Sequence, residues 1–560
     1  MNFHFQSKAA YFLLGLAMLT SMESCVVQNY ELGANLIPQN EMYDIYRVDI
    51  PLSDIKLQYL DSLTGYSNDR IVIGALRDKE YGLTTRSSAI TLIPMLDTMD
   101  FGKNPQFKRF HFAIKRDTLS VAKENESSIL QNIYVHELSH PIDTLKYDVL
   151  ASIDHEPETI SDGIPVYSGN DSLSFNFSKA FGEKYMSITQ DDLKDIKTYL
   201  KRFPGIYLES EKPVGAEGGR INLFRLQLDY DFSRYYIKGN YARLSFSAEY
   251  KGVRKDTSFF FYYSALDLYK MDSLIKKMGS SSSFPQYCQN IATHETKALE
   301  GKAKDKIHVE GGAGIMPSIP AYQIRDALLE DIAKNGGTEK DIKNAIVNKA
   351  SIILPFEFPA DYKELDNYPR YISPCTRSTT KKKTVVYSNL TNSSSESEDP
   401  GKINRSVGRY APDITFHVQQ MLAKPADKDI SIYDIYFTTL ATEVKESTNA
   451  SSAKSNQDYY RALAYSNYYN NMMYGGYGMG GYGYGGGYGM GGYGYGGYGD
   501  YYSNYYSYMM AARMYSGQSR TTKKESVSLD KDRFYKATLC GPESKEHRPF
   551  VRIIYALPKK

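Results

Sequence analysis

The stretch YVHELSHPI at 134–142 sets His136, Glu137 and His140 at H-E-x-x-H spacing. In a zinc peptidase that spacing puts two imidazoles on one helical face, with the glutamate beside the metal-bound water. Such a site also requires a third ligand and an open coordination position. His155, Glu156 and Glu158, in DHEPE, are the candidates for the third ligand. The flanking residues favour a different reading. Pro141 biases His140 toward extended dihedrals and removes the turn on which the second ligand would stand. In NIYVHEL, Ile133, Val135 and Glu137 alternate with Tyr134, His136 and Leu138. On a strand, His136 and His140 share a face but stand roughly 13 Å apart, too far to chelate one ion, and Glu137 points the other way. The expectation is a strand leading into a loop. His136 is then a sheet side chain, DHEPE a Pro-interrupted loop, and His155 solvent-facing. A zinc peptidase working through HELSH is carried only as an alternative.

The other runs that could carry chemistry read as fold. VEGGAGIMPSIP (309–320) has neither a G-x-G-x-x-G nor a P-loop pattern. Gly311, Gly312 and Gly314 would cradle a phosphate only if a helix N-terminus followed at once, and Pro317 and Pro320 follow instead. A tight turn or a close approach of strands is expected. KRFPGIYLES (201–210) reads as a helix end, a Pro-Gly turn and the start of a strand. Lys381, Lys382 and Lys383 sit in a charged surface loop. The nine histidines form no cluster beyond HELSH, and no Ser–His–Asp set can be assembled. No catalytic, cofactor-binding or metal-binding residue is assigned.

These runs sit in alternating text. FKRFHFAI (107–114), RINLFRLQLDY (220–230), YARLSFSAEY (241–250) and TSFFFYYS (257–264) have the period of two expected of half-buried strands. In RINLFRLQLDY, Ile221, Leu223 and Arg225 share one face and Phe224, Leu226 and Leu228 the other. The last two runs, joined by KGVRKD, read as an antiparallel hairpin. HRPFVRIIYAL (547–557) reads as a closing strand. Helices are few. TQDDLKDIKTYLKRF (189–203) has Thr189 as N-cap and apolar residues at 193, 196, 200 and 203. AYQIRDALLEDIAKNGG (321–337) stops at two glycines, and TEKDIKNAI (338–346) opens with a capping-box-like Thr338 and Asp341. The fold expected is mainly β, with antiparallel sheets, sandwich- or barrel-like, and a few short decorating helices.

The chain of 560 residues carries 67 Lys plus Arg against 65 Asp plus Glu, a net +2, so no strong field draws nucleic acid. Ala9–Thr20 is an apolar run of signal-peptide length, followed by SMES and Cys25. A small residue before a cysteine at that place predicts lipoprotein cleavage, with lipid on Cys25 and acyl groups such as palmitate holding the bilayer. Each buried CH₂ contributes about 0.8 kcal/mol to such an anchor. Cys288, Cys375 and Cys540 allow at most one internal disulfide. From about Tyr459 to Gly517 the text turns to Tyr, Gly and Met, and GYGMGGYGYGG recurs without change at 476–486 and 487–497. It has no apolar period to build a core and reads as an exposed insertion whose tyrosines are adhesive. The division expected is a signal peptide at 1–24, a lipidated cysteine and tether at 25–42, and an N-terminal β-rich region at 43–300. A C-terminal β-rich region follows at 301–458 and 518–560, interrupted by the insertion at 459–517.

The Cys25 start with ELGANLIP after it, RFPGIYLES, EGGAGIMPSIP and the helix-to-strand run KDIKNAIVNKASIIL resemble the DUF4270 family of Bacteroidota outer-membrane-associated lipoproteins. The resemblance implies a β-rich, lipid-anchored protein of the outer membrane without established enzyme activity. Its partners would be an outer-membrane β-barrel protein or other envelope lipoproteins, in assembly or export machinery, and no residue carries over as catalytic. A surface lipoprotein that binds glycans or peptides is the alternative.

Overall fold

The computed structural model describes residues 42–67, 70–96, 98–117, 129–142, 148–215, 217–226, 228–231, 236–264, 286–295, 299–380, 385–390, 399–425, 428–447 and 522–559. Residues 1–41 with Cys25, Lys381–Lys383 and the Tyr/Gly repeat lie outside them. The fold is mainly β, with few and short helices.

Alternation in the sequence becomes a hairpin at Ala242–Tyr250 and Val253–Ser264. Leu244, Phe246 and Ala248 of its first strand are buried. The turn is shorter than KGVRKD suggests. Lys251 (φ 52°) and Gly252 (φ 80°) make it alone, and VRKD already belongs to the second strand. Two central residues at positive φ give the primed turn that matches strand twist. Strand Lys103–Lys115 flanks this hairpin on one side and Gly82–Pro94 on the other. Gly82–Pro94 also pairs with Arg70–Asp78, which pairs with Gly218–Arg225. A bridge between Arg116 and Phe224 brings that last strand back to the first, so six strands form a barrel-like ring. Its core contains Ile71, Ile73, Phe110, Phe112, Leu244 and Phe261, with Phe181 and Tyr185 of helix Lys179–Met186 packed on it.

Two expectations here need correction. RINLFRLQLDY is not one strand. Gly218–Arg225 ends the ring, and Leu228–Asp231 pairs separately with Tyr236–Gly239. The helix read at 189–203 is broken. Thr189 and Asp192 do cap each other across a 3₁₀ turn at Asp192–Lys194, but Asp195 adopts extended dihedrals. Its carboxylate accepts from the Thr198 N–H and starts a new helix, Ile196–Arg202. Asp competes with the helical backbone for such donors, so it caps rather than continues.

The second unit is sandwich-like. A five-stranded sheet orders Tyr43–Pro51, Phe550–Pro558, Ile346–Pro355, Arg409–Tyr410 and Ile403–Asn404. A seven-stranded sheet includes Lys56–Tyr59, Ile315–Ile319, Ile435–Ser447 and Tyr371–Thr379. One core lies between them, containing Ile50, Val551, Ile553 and Ile352 from the first sheet and Ile315, Ile435 and Phe437 from the second. Helix Ala321–Lys334 adds Ile324, Leu328 and Ile332 and stops before Asn335 and Gly336, as read. The capping box at Thr338 and Asp341 is also present. HRPFVRIIYAL does close the fold, but between Ile346–Pro355 and the first strand of the described residues, with which it pairs from Tyr43↔Pro558 to Pro51↔Phe550. Residues 43–59, grouped by sequence with the N-terminal region, therefore pair with the C-terminal one.

Ile435–Ser447 pairs with Thr522–Leu529 from Leu440↔Leu529 to Ser447↔Thr522. The other neighbours of Ile435–Ser447 stop at Leu440. Past that point the two strands pair only with each other among the described residues, as a ribbon whose free ends bracket 448–521.

Candidate functional site

HELSH lies on strand Gln131–Leu138, which ends before Ser139 and His140. His136 is buried, and its Nδ1 lies 3.2 Å from the Glu158 carbonyl. Glu137 faces the other way and pairs with Lys184 of helix Lys179–Met186. His140 is exposed past the strand end. DHEPE is not a loop. His155–Thr159 is a short edge strand alongside HELSH. This corrects the reading of His155 as solvent-facing. It is half-buried, with its ring 4.6 Å from His136 and 4.6 Å from Tyr207. Ring nitrogens direct their lone pairs in the ring plane, so packed faces do not converge on an ion. Glu156 accepts from Ser139 at 2.8 Å. No group of three or more His, Cys, Asp or Glu that could hold a metal occurs among the described residues. The three cysteines there, Cys288, Cys375 and Cys540, are separate buried thiols.

The glycine run forms a turn between strands Lys306–Glu310 and Ile315–Ile319, with Gly312 and Ala313 both at φ 65°. A strand follows it, not a helix, so the phosphate-cradle geometry is absent and the expected tight turn is present. Its surroundings are not visible in the local sequence. Gly311 packs against the Asp530 carboxylate, and Gly312 against Phe534 and Arg86. This turn is the centre of a charged seam between the two β units.

From the barrel-like unit, strand Gly82–Pro94 contributes Thr84 and Arg86, strand Arg70–Asp78 contributes Arg70, and strand Cys288–His294 contributes His294. From the sandwich-like unit come Glu310, Glu443, Asp530, Asp532 and Lys536. Arg70, its side chain 7% exposed, donates to Asp117 (3.2 Å) of its own unit and to Glu443 (2.9 Å) and Asp532 (2.6 Å) across the seam. Burial pulls against its charge, but Asp532 and then Glu443 and Asp117 more than compensate and hold the guanidinium charged. Glu310 is fully buried and meets His294 Nδ1 (3.0 Å), Thr84 Oγ1 (3.1 Å) and Lys536 Nζ (3.3 Å). Burial alone would raise its pKa, yet His294 and Lys536 outweigh it and leave the carboxyl at about 2.

Arg86 is buried beside these groups. One Nη donates to the Gly312 carbonyl at 2.8 Å, and its guanidinium stacks 3.9 Å from the centre of the Phe534 ring. Burial lowers its pKa to about 10, against the attraction of Glu310, Asp530 and Asp532. Asp530 holds the loop after Thr522–Leu529. Its Oδ1 accepts from the N–H of Arg533 (2.8 Å) and Phe534 (3.2 Å), its Oδ2 from that of Tyr535 (2.9 Å). Burial still raises its pKa to about 6, and neighbouring Asp532 adds to the rise against those three donors. Tyr81 closes the seam's edge by donating its buried hydroxyl to the Ala537 carbonyl at 2.8 Å.

Chemically, the seam joins two separately cored units through buried charges, paired across it at Arg70 and at Glu310. Sequence reading placed only the glycine turn there. A charged residue at an inward position of an apolar strand, such as Arg86 in TTRSSAITLI, is the signal that was available. Beyond the seam, Tyr368, Arg370, Lys402, Arg405 and Tyr535 line an open cleft of about 670 Å³. Arg405 there is tied to Asp366 at 3.0 Å.

A scan of family models finds no match for the chain, and comparisons with curated proteins and with solved structures likewise find none.

Proposed function

We propose that the protein is a non-catalytic lipoprotein, anchored through Cys25, and an accessory subunit of an outer-membrane complex. Its partners are an outer-membrane β-barrel protein or other envelope lipoproteins of assembly or export machinery. The observation that carries this reading is the ribbon of Ile435–Ser447 and Thr522–Leu529, which leaves the seven-stranded sheet and brackets the tyrosine-rich insertion. A two-stranded ribbon whose ends bracket a sequence rich in large, few-rotor tyrosines supports a contact role. The tether also fits. Residues 26–42 reach at most roughly 60 Å, so the edge strand Tyr43–Pro51 stays near the bilayer.

Mild-detergent extraction of the tagged full chain is expected to bring down a stoichiometric barrel or lipoprotein partner, and deletion of 475–499 to reduce that recovery. Recovery of the chain alone would count heavily against the proposal. The open cleft favours a second reading, binding of a glycan at Tyr368 and Tyr535, because a lining of tyrosine and arginine side chains suits sugar rings and their hydroxyls. A broad glycan array tests it, and absence of binding would remove it.

A further inference from the structure

Burial separates the two faces of the five-stranded sheet. On strand Tyr43–Pro51, Tyr46, Val48 and Ile50 turn to the core, so Tyr43, Ile45, Arg47 and Asp49 stand on the outer face. Register carries that face across the neighbouring strands. Ile45 lies opposite Ala556, and Ala556 opposite Ile346. The next row is Arg47, Ile554 and Lys349, and the one after it Asp49, Arg552 and Ser351.

The solvent face of an antiparallel sheet is ordinarily polar. One end of this one is not. Ile45 is 70% exposed and Ile346, in the same row, 46%. Tyr43 is exposed two residues before Ile45, and Ile554 is half-buried in the row behind. This is the end at which the chain arrives from Cys25, because residues 26–42 lead directly into Tyr43. Charge on the face leans positive. Arg47, Lys349 and Arg552 meet one carboxylate, Asp49, which accepts from Arg47 at 2.9 Å and from Arg552 at 2.8 Å. Asp44 is exposed on the core side of its strand. Lys559 pairs with Met42 beyond the last row. Helix Glu339–Asn344, which reaches Phe550–Pro558, adds Lys340 and Lys343 against Glu339 and Asp341.

We propose that this outer face docks on the bilayer. Tyr43, Ile45 and Ile346 enter the boundary between headgroups and acyl chains, and Arg47 and Lys349 meet lipid phosphates. The order fits a membrane surface. An apolar row with a tyrosine beside it is backed by cations about 7 Å along the strands, as acyl chains give way to the interface and then to phosphates. The inference rests on the Cys25 anchor proposed above. An anchor on the same chain makes the docking intramolecular, so a small patch suffices.

The chain contains no tryptophan, so a single introduced one reports its own surroundings. The lipidated full chain carrying Ile45→Trp is reconstituted into vesicles of phosphatidylcholine and phosphatidylglycerol, with and without brominated acyl chains, and flotation checks its anchoring. Ile432→Trp is the control. Ile432 is 68% exposed, on a 3₁₀ turn against helix Ala321–Lys334, which packs on the core face of the sheet. Ile45→Trp is expected to emit at shorter wavelength and to be quenched by bromine, and Ile432→Trp to do neither. Ile346→Trp, on another strand of the same row, is expected to behave as Ile45→Trp. Adding Lys349→Gln is expected to lower the ratio of docked to undocked chain about fivefold. Chain that does not float with the vesicles would overturn the Cys25 anchor and this face with it. Chain that floats with Ile45→Trp unquenched leaves the anchor standing and overturns this face alone. Equal quenching of Ile45→Trp and Ile432→Trp would overturn it as well. So would shielding of Ile45→Trp from an aqueous quencher without quenching by bromine, which would assign the face to a second copy of the chain.

Discussion

Replacing Arg70 with leucine is expected to cost about 3–5 kcal/mol and to split thermal unfolding into two transitions. The guanidinium receives three carboxylates in a buried place, two of them from the other unit. Removing one partner of a buried charge set leaves the rest uncompensated, which costs far more than an exposed pair is worth. Asp117 is the most buried of the three carboxylates, its side chain 6% exposed. Arg70→Lys should recover only part of the loss, since one ammonium cannot serve three acceptors in a fixed fork. Each unit has its own hydrophobic core. Cutting the charged link therefore uncouples two bodies that can each remain folded. Differential scanning calorimetry distinguishes the cases. One transition at an unchanged midpoint would mean that Arg70 contributes little to docking.

The contrast between what was legible and what was not follows from range. Period-two text is a property of neighbouring residues, so strands such as Ala242–Tyr250 and the β reading of HELSH came directly from it. The Thr338 and Asp341 cap is likewise three residues long. Partner choice is not local. Nothing in YDIYRVDIP says that it lies beside FVRIIYALP, some 500 residues away, though both alternate suitably. The seam is the extreme case. Arg70, Arg86, Asp117, His294, Glu310, Glu443 and Asp530 share no spacing, because strand pairing within each unit and the packing of one unit on the other bring them together. Asp195 failed differently. Its place in a helical period concealed that a short carboxylate prefers to start a helix rather than continue one.

Alanine at 311 is expected to be the most damaging small substitution in the seam. Gly311 is not at positive φ, so alanine meets no backbone penalty there. The cost arises from space. An added Cβ would stand 1.9 Å from Asp530 Oδ2 and 2.9 Å from Thr439 Oγ1. A free side chain would swing aside, but this carboxylate is held by three backbone donors, and Oδ2 is the oxygen that accepts from Tyr535. To make room, the molecule must give up that bond or move the strand carrying Glu310. Overpacking of this kind costs roughly 1–3 kcal/mol, and leaving a buried donor unmet adds about 1–3 kcal/mol. A loss of about 3 kcal/mol in urea unfolding is therefore expected, with the Tyr535 amide exchanging faster. Gly215→Ala is the control, because an added Cβ there meets only the Glu217 carbonyl, at 3.3 Å. It should change stability by less than about 0.5 kcal/mol. If Gly311→Ala behaved like Gly215→Ala, the Asp530 carboxylate would have to be free to move, and the turn would not be the part that fixes the seam.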